Sequence, residues 1–175
     1  RAYDRVLVNS FYSRESVGRS LGVEARVCYL GIDTELFRPD PSAPRCRTVA
    51  CLGEFAHHKG PDRALHALGA IPSALRPGLV WIANAVDPGY HERMRVLAGE
   101  LGVTLTVQQK LPDAELVQTL QRCAVFLYTS RLEPFGFAPL EANACGLPVV
   151  AIAEGGVRET VQDSVNGTLV PGAEP

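Results

Sequence analysis

The sequence lacks several features that assign a protein to a functional class at once. Its 175 residues contain no apolar run as long as a membrane span, no G-x-G-x-x-G and no Walker-type loop. These absences argue against a membrane-spanning protein, a P-loop ATPase and an ordinary dinucleotide dehydrogenase. The formal net charge is only -2, so composition gives no broad cationic face for nucleic acid, and we expect no nucleic-acid partner.

Methionine occurs only once, and the cysteines suggest no metal site. The five cysteines are odd in number and show no metal-ligand spacing. Three of them, Cys51, Cys123 and Cys145, lie in or beside apolar segments, and we interpret them as buried reduced thiols, which favours the cytoplasm. The hydrophobic content of 46% is enough to bury a core. Because the chain begins at Arg1 without methionine, we expect it to be an excised piece.

Short apolar runs alternate with helical patterns along the chain. Strands are predicted at residues 6–8, 26–29, 48–52, 79–83, 104–107, 125–128 and 148–153. Helices are predicted near residues 12–21, 61–68, 90–101, 113–122, 139–145 and 157–162. This order predicts an α/β fold with a Rossmann-like parallel sheet and helices on both faces. In such sheets the ligand crevice lies outside the carboxyl ends of the strands.

One segment at these strand ends is Gly53-Glu-Phe-Ala-His-His-Lys-Gly60, followed by Pro61 at a helix start. The amino end of a helix carries partial positive charge, so Lys59 is electrostatically misplaced there unless an anion is near. Phosphate is the natural anion at such a position. The ordinary alternatives are that Lys59 extends into solvent or pairs with Asp62.

The other segment is residues 131–141, which carry two carboxylates around a glycine turn. We expect Glu133 in the loop and Glu141 in the first turn of the helix that follows Gly136 and Pro139. Taken singly, Glu133 fits a solvated loop charge and Glu141 fits a first-turn acid that interacts with the helix dipole. An acid and base pair of a glycoside hydrolase also fits, since sequence does not supply the separation of the carboxylates.

Taken together, these motifs resemble the donor-binding, carboxy-terminal half of retaining glycosyltransferases of glycosyltransferase family 4, which have the GT-B fold. The paired glutamates are the specific part, and the resemblance covers nearly the whole chain in the same order. The supporting pieces are Val8-Asn-Ser10, Leu30-Gly-Ile-Asp33, Phe37, Pro39, the Gly53 to Gly60 segment, Gly146-Leu-Pro148, Gly155-Gly156 with Glu159, and Asn166-Gly167.

The resemblance implies transfer of a sugar from a nucleotide-sugar donor to an acceptor hydroxyl, with retention of configuration. It implies that residues 1–30 end the acceptor domain and form the interdomain crossover, and that residues 31–175 bind the nucleotide-diphosphate sugar. The N-terminal acceptor domain is then absent, so we expect this chain to bind donor and transfer poorly. Any membrane contact is expected through the absent domain. The alternative is a non-catalytic nucleotide-sugar-binding or interaction module.

Two catalytic residues are implied by the resemblance, Lys59 and Glu133. Lys59 matches the lysine that neutralises the leaving diphosphate, and Glu133 matches the glutamate that contacts hydroxyls of the donor sugar. Glu141 matches the glutamate that accepts hydrogen bonds from the ribose, a role suited to an acceptor-only carboxylate. No cofactor and no metal are implied, because the lysine supplies the positive charge.

Further donor-binding positions follow from the same resemblance. Backbone N–H groups around Phe135, Gly136 and Phe137 are expected to face the diphosphate, where the glycine lets the backbone approach closely. Gly53 and Arg131 complete the expected donor-binding set.

One position departs from the family pattern. The family usually has arginine directly after the glycine at position 53, and this sequence has Glu54. A carboxylate there repels a diphosphate, so we expect one of two compensations. Either Arg131, His57 or His58 supplies the missing charge, or Glu54 turns outward and pairs with a neighbouring base.

The remaining conspicuous residues have weaker interpretations. The stretch 108–110, Gln-Gln-Lys, falls where the family's base-contacting loop lies, although exposed polar residues of this kind are commonly just solvated. The nucleobase is therefore not predicted. Trp81 is expected in the core. Glu159 is expected to be a first-turn helix acid, with a supporting role at the site left open.

Overall fold

The computed structural model describes residues 4–172 and contains two parallel β-sheets. Residues 1–3 and 173–175 lie outside the described residues. They are the first residues of the predicted division 1–30 and the last residues of the predicted division 31–175. Strands β1 (Leu7–Val8) and β2 (Arg26–Val27) pair only with each other. The larger sheet contains β3 (Thr48–Leu52), β4 (Gly78–Ala83), β5 (Leu105–Gln109), β6 (Val125–Tyr128), β7 (Val149–Ile152) and β8 (Gly167–Val170).

Six α-helices connect the strands within residues 4–172. They are α1 (Phe11–Leu21), α2 (Pro61–Gly69), α3 (Pro88–Glu100), α4 (Asp113–Arg122), α5 (Phe137–Ala144) and α6 (Val157–Thr160). In this part of the chain no helix has the length and apolar character needed to cross a bilayer.

Both faces of the larger sheet are covered, because successive residues of a strand point to opposite faces. Val49 and Cys51 of β3 belong to one apolar cluster, which also contains Leu65 of α2 and residues of α3. The intervening Ala50 belongs to a second cluster with Leu120 of α4 and residues of α5. The predicted parallel sheet with helices on both faces is confirmed.

The order of strands in the larger sheet predicts where the ligand crevice lies. The order is β5-β4-β3-β6-β7-β8, so the chain builds outward from β3 on one side and from β6 on the other. The point between β3 and β6 is therefore the topological switch point, where open α/β sheets bind ligands. The loops that follow β3 and β6 must face each other across this crevice.

The edge of the sheet differs from the prediction. Strand β8 was not predicted, since it has only four residues and alternates between half-buried and exposed positions. An edge strand is covered by the sheet on one side only, so it leaves a weak apolar signal in the sequence. The predicted strands at 6–8 and 26–29 exist in shortened form, and they build a separate two-stranded sheet.

The cysteine prediction is confirmed for the three residues it named. Cys51, Cys123 and Cys145 are buried, Cys28 and Cys46 are exposed, and all five thiols are free. Burial raises the pKa of Cys123 to about 11, so its thiol is protonated at neutral pH.

A substitution in α4 tests the packing of this core directly. Leu120→Ala is expected to cost about 2–5 kcal/mol of unfolding free energy, because Leu120 has no exposed surface. Leu75→Ala is the matched control, since Leu75 is 60% exposed and should change stability by about 0.5 kcal/mol or less. Urea denaturation measures both variants. Equal losses in the two variants would contradict the placement of Leu120.

Candidate functional site

A cleft of about 500 Å³ opens at the carboxyl ends of the central strands. It is lined by five of the predicted site residues, Gly53, Lys59, Glu133, Phe137 and Glu141. These residues come from the loops after β3 and β6 and from α5, so the sheet order brings together positions that are far apart in the chain. The other lining residues are Leu36, Phe37, Leu52, Ile82, Asn84, Leu111, Asp113, Leu116, Tyr128 and Ala138.

Lys59 pairs with Glu133 across the crevice. Lys59 is the last residue of a 3₁₀ turn, and Gly60 then caps α2, which begins at Pro61 as predicted. The ammonium Nζ donates to Oε2 of Glu133 at 2.5 Å, and the two side chains are 19% and 26% exposed. Neither ordinary alternative occurs, because Lys59 does not extend freely into solvent and Asp62 instead accepts a hydrogen bond from Tyr90.

A buried threonine holds the lysine turn against the end of β6. The hydroxyl of Thr129 lies 2.9 Å from the carbonyl oxygens of both Lys59 and Gly60. The carbonyl of Thr129 in turn accepts two hydrogen bonds from the guanidinium of Arg63, at 3.0 and 3.1 Å. These contacts of Thr129 and Arg63 were not predicted from the sequence. The signal for them was the polar Thr129-Ser130 pair directly after an apolar strand.

The other end of the same loop is tied to the core. Trp81 is 2% exposed, as predicted, and its indole N–H donates to the carbonyl of Gly53 at 2.8 Å. A buried indole usually finds a hydrogen-bond partner. Here the partner is the first residue of the segment that carries Lys59, so the core fixes the start of this loop.

Helix α5 begins earlier than predicted. Its first residue is Phe137 and its cap is Gly136, which has a φ of 91°, a conformation that favours glycine. Pro139 therefore lies within the first turn, where a missing N–H breaks no intrahelical bond. The prediction that Glu141 lies in the first helical turn is wrong, because Glu141 is the fifth helical residue.

Glu141 shares the cleft with a second acid that the sequence analysis did not select. Burial raises the pKa of Glu141, and the charge of Asp113 raises it further. Asp113 is the first residue of α4 and lines the same cleft. This end of the cleft therefore offers carboxylate acceptors, which suit a ligand rich in hydroxyl or N–H donors.

Three of the predicted donor-binding residues lie beside the cleft without lining it. Phe135 is 4% exposed, and its ring packs against Phe137, with centroids 5.3 Å apart. Gly136 serves as the helix cap. Arg131 donates to both carboxylate oxygens of Glu154, at 3.1 and 2.9 Å. With its guanidinium held by Glu154, Arg131 does not supply a charge to the cleft in this conformation.

Glu54 turns outward, which is one of the two expected compensations. Its carboxylate lies 3.8 Å from Nε2 of His58, and both side chains are more than half exposed. The other histidine of the segment, His57, is exposed and lies edge-on to Tyr90. The repulsion expected between Glu54 and an anion in the cleft is thereby weakened by distance and by water.

The predicted base-contacting stretch does not line the cleft. Gln108 and Gln109 end β5, Lys110 follows it, and all three lie outside the lining set, whereas Asn84, Leu111 and Asp113 belong to it. Within residues 4–172, no group of three or more His, Cys, Asp or Glu side chains lies close enough together to hold a metal ion. The absence of a metal requirement stays a prediction.

Comparison with known proteins shows what this chain is similar to. The family model described as glycosyl transferases group 1 matches residues 33–175. The chain is 33% identical, over 99% of its length, to a D-inositol 3-phosphate glycosyltransferase of Acidothermus cellulolyticus. It is 34% identical, over 98% of its length, to a GDP-mannose-dependent phosphatidylinositol monomannoside mannosyltransferase of Mycolicibacterium smegmatis. These matches cover 44% and 50% of the relatives, so the chain spans about half their length.

Solved structures agree with this comparison. Anabaena HepE in complex with UDP-glucose matches 99% of the chain and 51% of its own, with a TM-score of 0.86 and 25% identity. The sucrose-phosphate synthase of Thermosynechococcus elongatus matches 98% of the chain and 46% of its own, with a TM-score of 0.84 and 26% identity.

The raised pKa of Glu141 gives a stability prediction with a definite sign. The folded chain binds this proton more tightly than the unfolded chain, so stability falls as pH rises from the ordinary glutamate pKa toward neutrality. Glu141→Gln removes this loss, and we expect a higher melting temperature at neutral pH and a flatter profile between about pH 4 and pH 8. Thermal melts measure it, with the exposed Glu100→Gln as control. A lower melting temperature for Glu141→Gln at neutral pH would be inconsistent with an unfavourably placed charge.

Proposed function

The chain belongs to the glycosyl transferases group 1 family, and on that premise we propose that it supplies the nucleotide-sugar site of a retaining family 4 glycosyltransferase. The observation that carries the proposal is the cleft in which the Lys59–Glu133 pair and Glu141 lie together at the switch point of the sheet. One cation and two carboxylates match the three parts of the donor: diphosphate, sugar and ribose.

The placement of the donor follows from charge and hydrogen-bonding capacity. The carboxylate of Glu141 is partly buried and accepts no hydrogen bond from the described residues, so hydroxyl groups of a ribose provide the partners that an ionised carboxylate needs. Lys59 lies where the diphosphate then falls, near the amino end of α5. Glu133, next to Lys59, reaches the hydroxyls of the sugar.

The chemistry assigned to these residues is charge stabilisation. When the bond between the sugar and the diphosphate breaks, negative charge develops on the leaving phosphate oxygen, and the ammonium of Lys59 stabilises it. The acceptor hydroxyl forms the new bond on the face that the diphosphate leaves, and its proton passes to that phosphate oxygen. No metal is needed, because Lys59 supplies the positive charge.

Relatives support an enzyme over a binding module. Both curated relatives named above are transferases, and Anabaena HepE holds UDP-glucose. The Mycolicibacterium relative is GDP-mannose-dependent, so uridine and guanosine donors are both candidates here. A carboxylate-pair hydrolase is less well supported, because Glu133 is engaged in an ion pair with Lys59.

The chain accounts for one half of such an enzyme. We propose that residues 1–30 end the acceptor domain and cross between domains, and that residues 31–175 form the donor domain. Transfer then needs the acceptor domain, since the active site of this fold lies between two domains and excludes water only when both are present. The cytoplasmic location, and any membrane contact through the acceptor domain, belong to the same proposal.

Calorimetric titration with UDP-glucose, GDP-mannose and ADP-glucose tests donor binding. We expect one of them to bind, and Glu141→Ala and Lys59→Ala each to weaken that binding by about 10- to 150-fold, the effect of losing a charged hydrogen bond of about 1.5–3 kcal/mol. Arg95→Ala is the control, because Arg95 is exposed and does not line the cleft. Failure of all three donors to bind, or binding that neither substitution weakens, would overturn the proposal.

Glu54 provides an independent test of where the diphosphate lies. Glu54→Arg introduces the residue that the family usually has at this position, and we expect it to tighten binding of the donor by about tenfold. Glu54→Gln, which only removes the negative charge, should have a smaller effect in the same direction. Weaker binding by Glu54→Arg would show that the diphosphate does not approach this loop.

A further inference from the structure

The loop that carries Glu133 contacts the N-terminal unit, which is defined as residues 4–30 and contains β1, α1 and β2. Within residues 4–172, every hydrogen bond that joins this unit to the rest of the chain ends on Pro134 or Glu159. Strands β1 and β2 do not join the larger sheet. The hydrogen-bonded link between the two parts therefore runs partly through the loop of a predicted catalytic residue and partly through α6.

Ser10 makes the contact to this loop. Its side chain has no exposed surface, and its hydroxyl donates to the carbonyl of Pro134 at 2.5 Å. The same hydroxyl oxygen accepts from the backbone N–H of Ser13 and so caps α1. One buried group thus fixes both the start of α1 and the residue that directly follows Glu133.

Glu159 makes the second contact, from α6. Its carboxylate accepts hydrogen bonds from the backbone N–H groups of Phe11 and Tyr12, at 2.8 and 3.0 Å, and from the hydroxyl of Tyr29 at 2.8 Å. Burial alone would raise the pKa of Glu159, but these three hydrogen bonds, together with the charge of Arg158, outweigh it and lower the pKa. The carboxylate is therefore ionised at neutral pH and bridges α1 and the residues after β2.

The residues before α6 contact the other side of the loop that carries Glu133. The backbone N–H of Gly156 donates to the carbonyl of Glu133 at 2.8 Å. A Cβ atom on Gly156 would lie 2.1 Å from the carbonyl oxygen of Pro134, so only glycine permits this approach. Leu132, the residue before Glu133, has a φ of 54°. This backbone conformation costs energy for a branched side chain and persists only where the surrounding structure holds it.

We infer that Ser10 and Glu159 are positioning residues. Through them, the position of Glu133 depends on the position of the N-terminal unit. This inference rests on the proposed function, since it assigns Glu133 to the sugar. Ser10 of the N-terminal unit donates a hydrogen bond to the loop, and Gly156, just before α6, donates another from the opposite side. Glu159 of α6 joins these two sides through its hydrogen bonds to α1. The sugar end of the site therefore depends on the N-terminal unit, whereas the ribose end at Glu141 does not.

The test compares two ligands of the same base. The probes are whichever of UDP-glucose, GDP-mannose and ADP-glucose binds, and the matching nucleoside monophosphate, which lacks the sugar and one phosphate. In Ser10→Ala we expect affinity for the sugar nucleotide to fall about fivefold, the effect of one lost hydrogen bond, and affinity for the monophosphate to stay unchanged. Glu159→Gln should give the same pattern, because an amide accepts fewer of the three hydrogen bonds.

Ser20→Ala is the matched control, because Ser20 is exposed in the same helix. Calorimetry gives both affinities, and thermal melts show which variants remain folded. Equal losses for the two ligands, or no loss for either, would overturn the positioning role. A wild-type chain that binds no sugar nucleotide would instead overturn the proposed function, so the two failures are distinguishable.

Discussion

The ion pair between Lys59 and Glu133 is the interaction on which the site depends. A lysine just before a helix start is unfavourable unless a negative charge lies near it, and Glu133 provides that charge from 74 positions further along the chain. The two residues meet because β3 and β6 are neighbours in the sheet. With little exposed surface, the pair is poorly screened by solvent, so its two charges act strongly on any group that enters the cleft.

Three side chains that do not line the cleft hold the loop of Lys59 in place. Thr129 and Arg63 fasten the lysine turn to the end of β6, and Trp81 fastens the start of the same loop to β4. Each contact ends on a backbone carbonyl, so it fixes the main chain at that point. The cleft also carries a cost in stability, because Glu141 is an acid beside another acid and is partly buried. Binding sites commonly accept such a cost.

Much of the fold and part of the site were predictable from the sequence. Alternating apolar and helical patterns gave the parallel sheet, and the rule that ligands bind at strand ends selected Lys59, Glu133 and Glu141, which do share one cleft. The partner of Lys59 was not predictable, because strand order β3-β6 is a tertiary property that local patterns do not encode. For the same reason the contacts of Ser10 were missed, since they span 124 positions. The start of α5 was misjudged because Pro139 was taken as the first helical residue.

In the proposed function, the cleft at the β3–β6 switch point holds a sugar nucleotide with Lys59 on the diphosphate and Glu141 on the ribose. A crystal structure of the chain with the sugar nucleotide that it binds tests this most directly. The account predicts phosphate oxygens within hydrogen-bond distance of Nζ of Lys59 and ribose hydroxyls on the carboxylate of Glu141. A nucleotide bound elsewhere, or bound in the cleft without contact to either side chain, would contradict it.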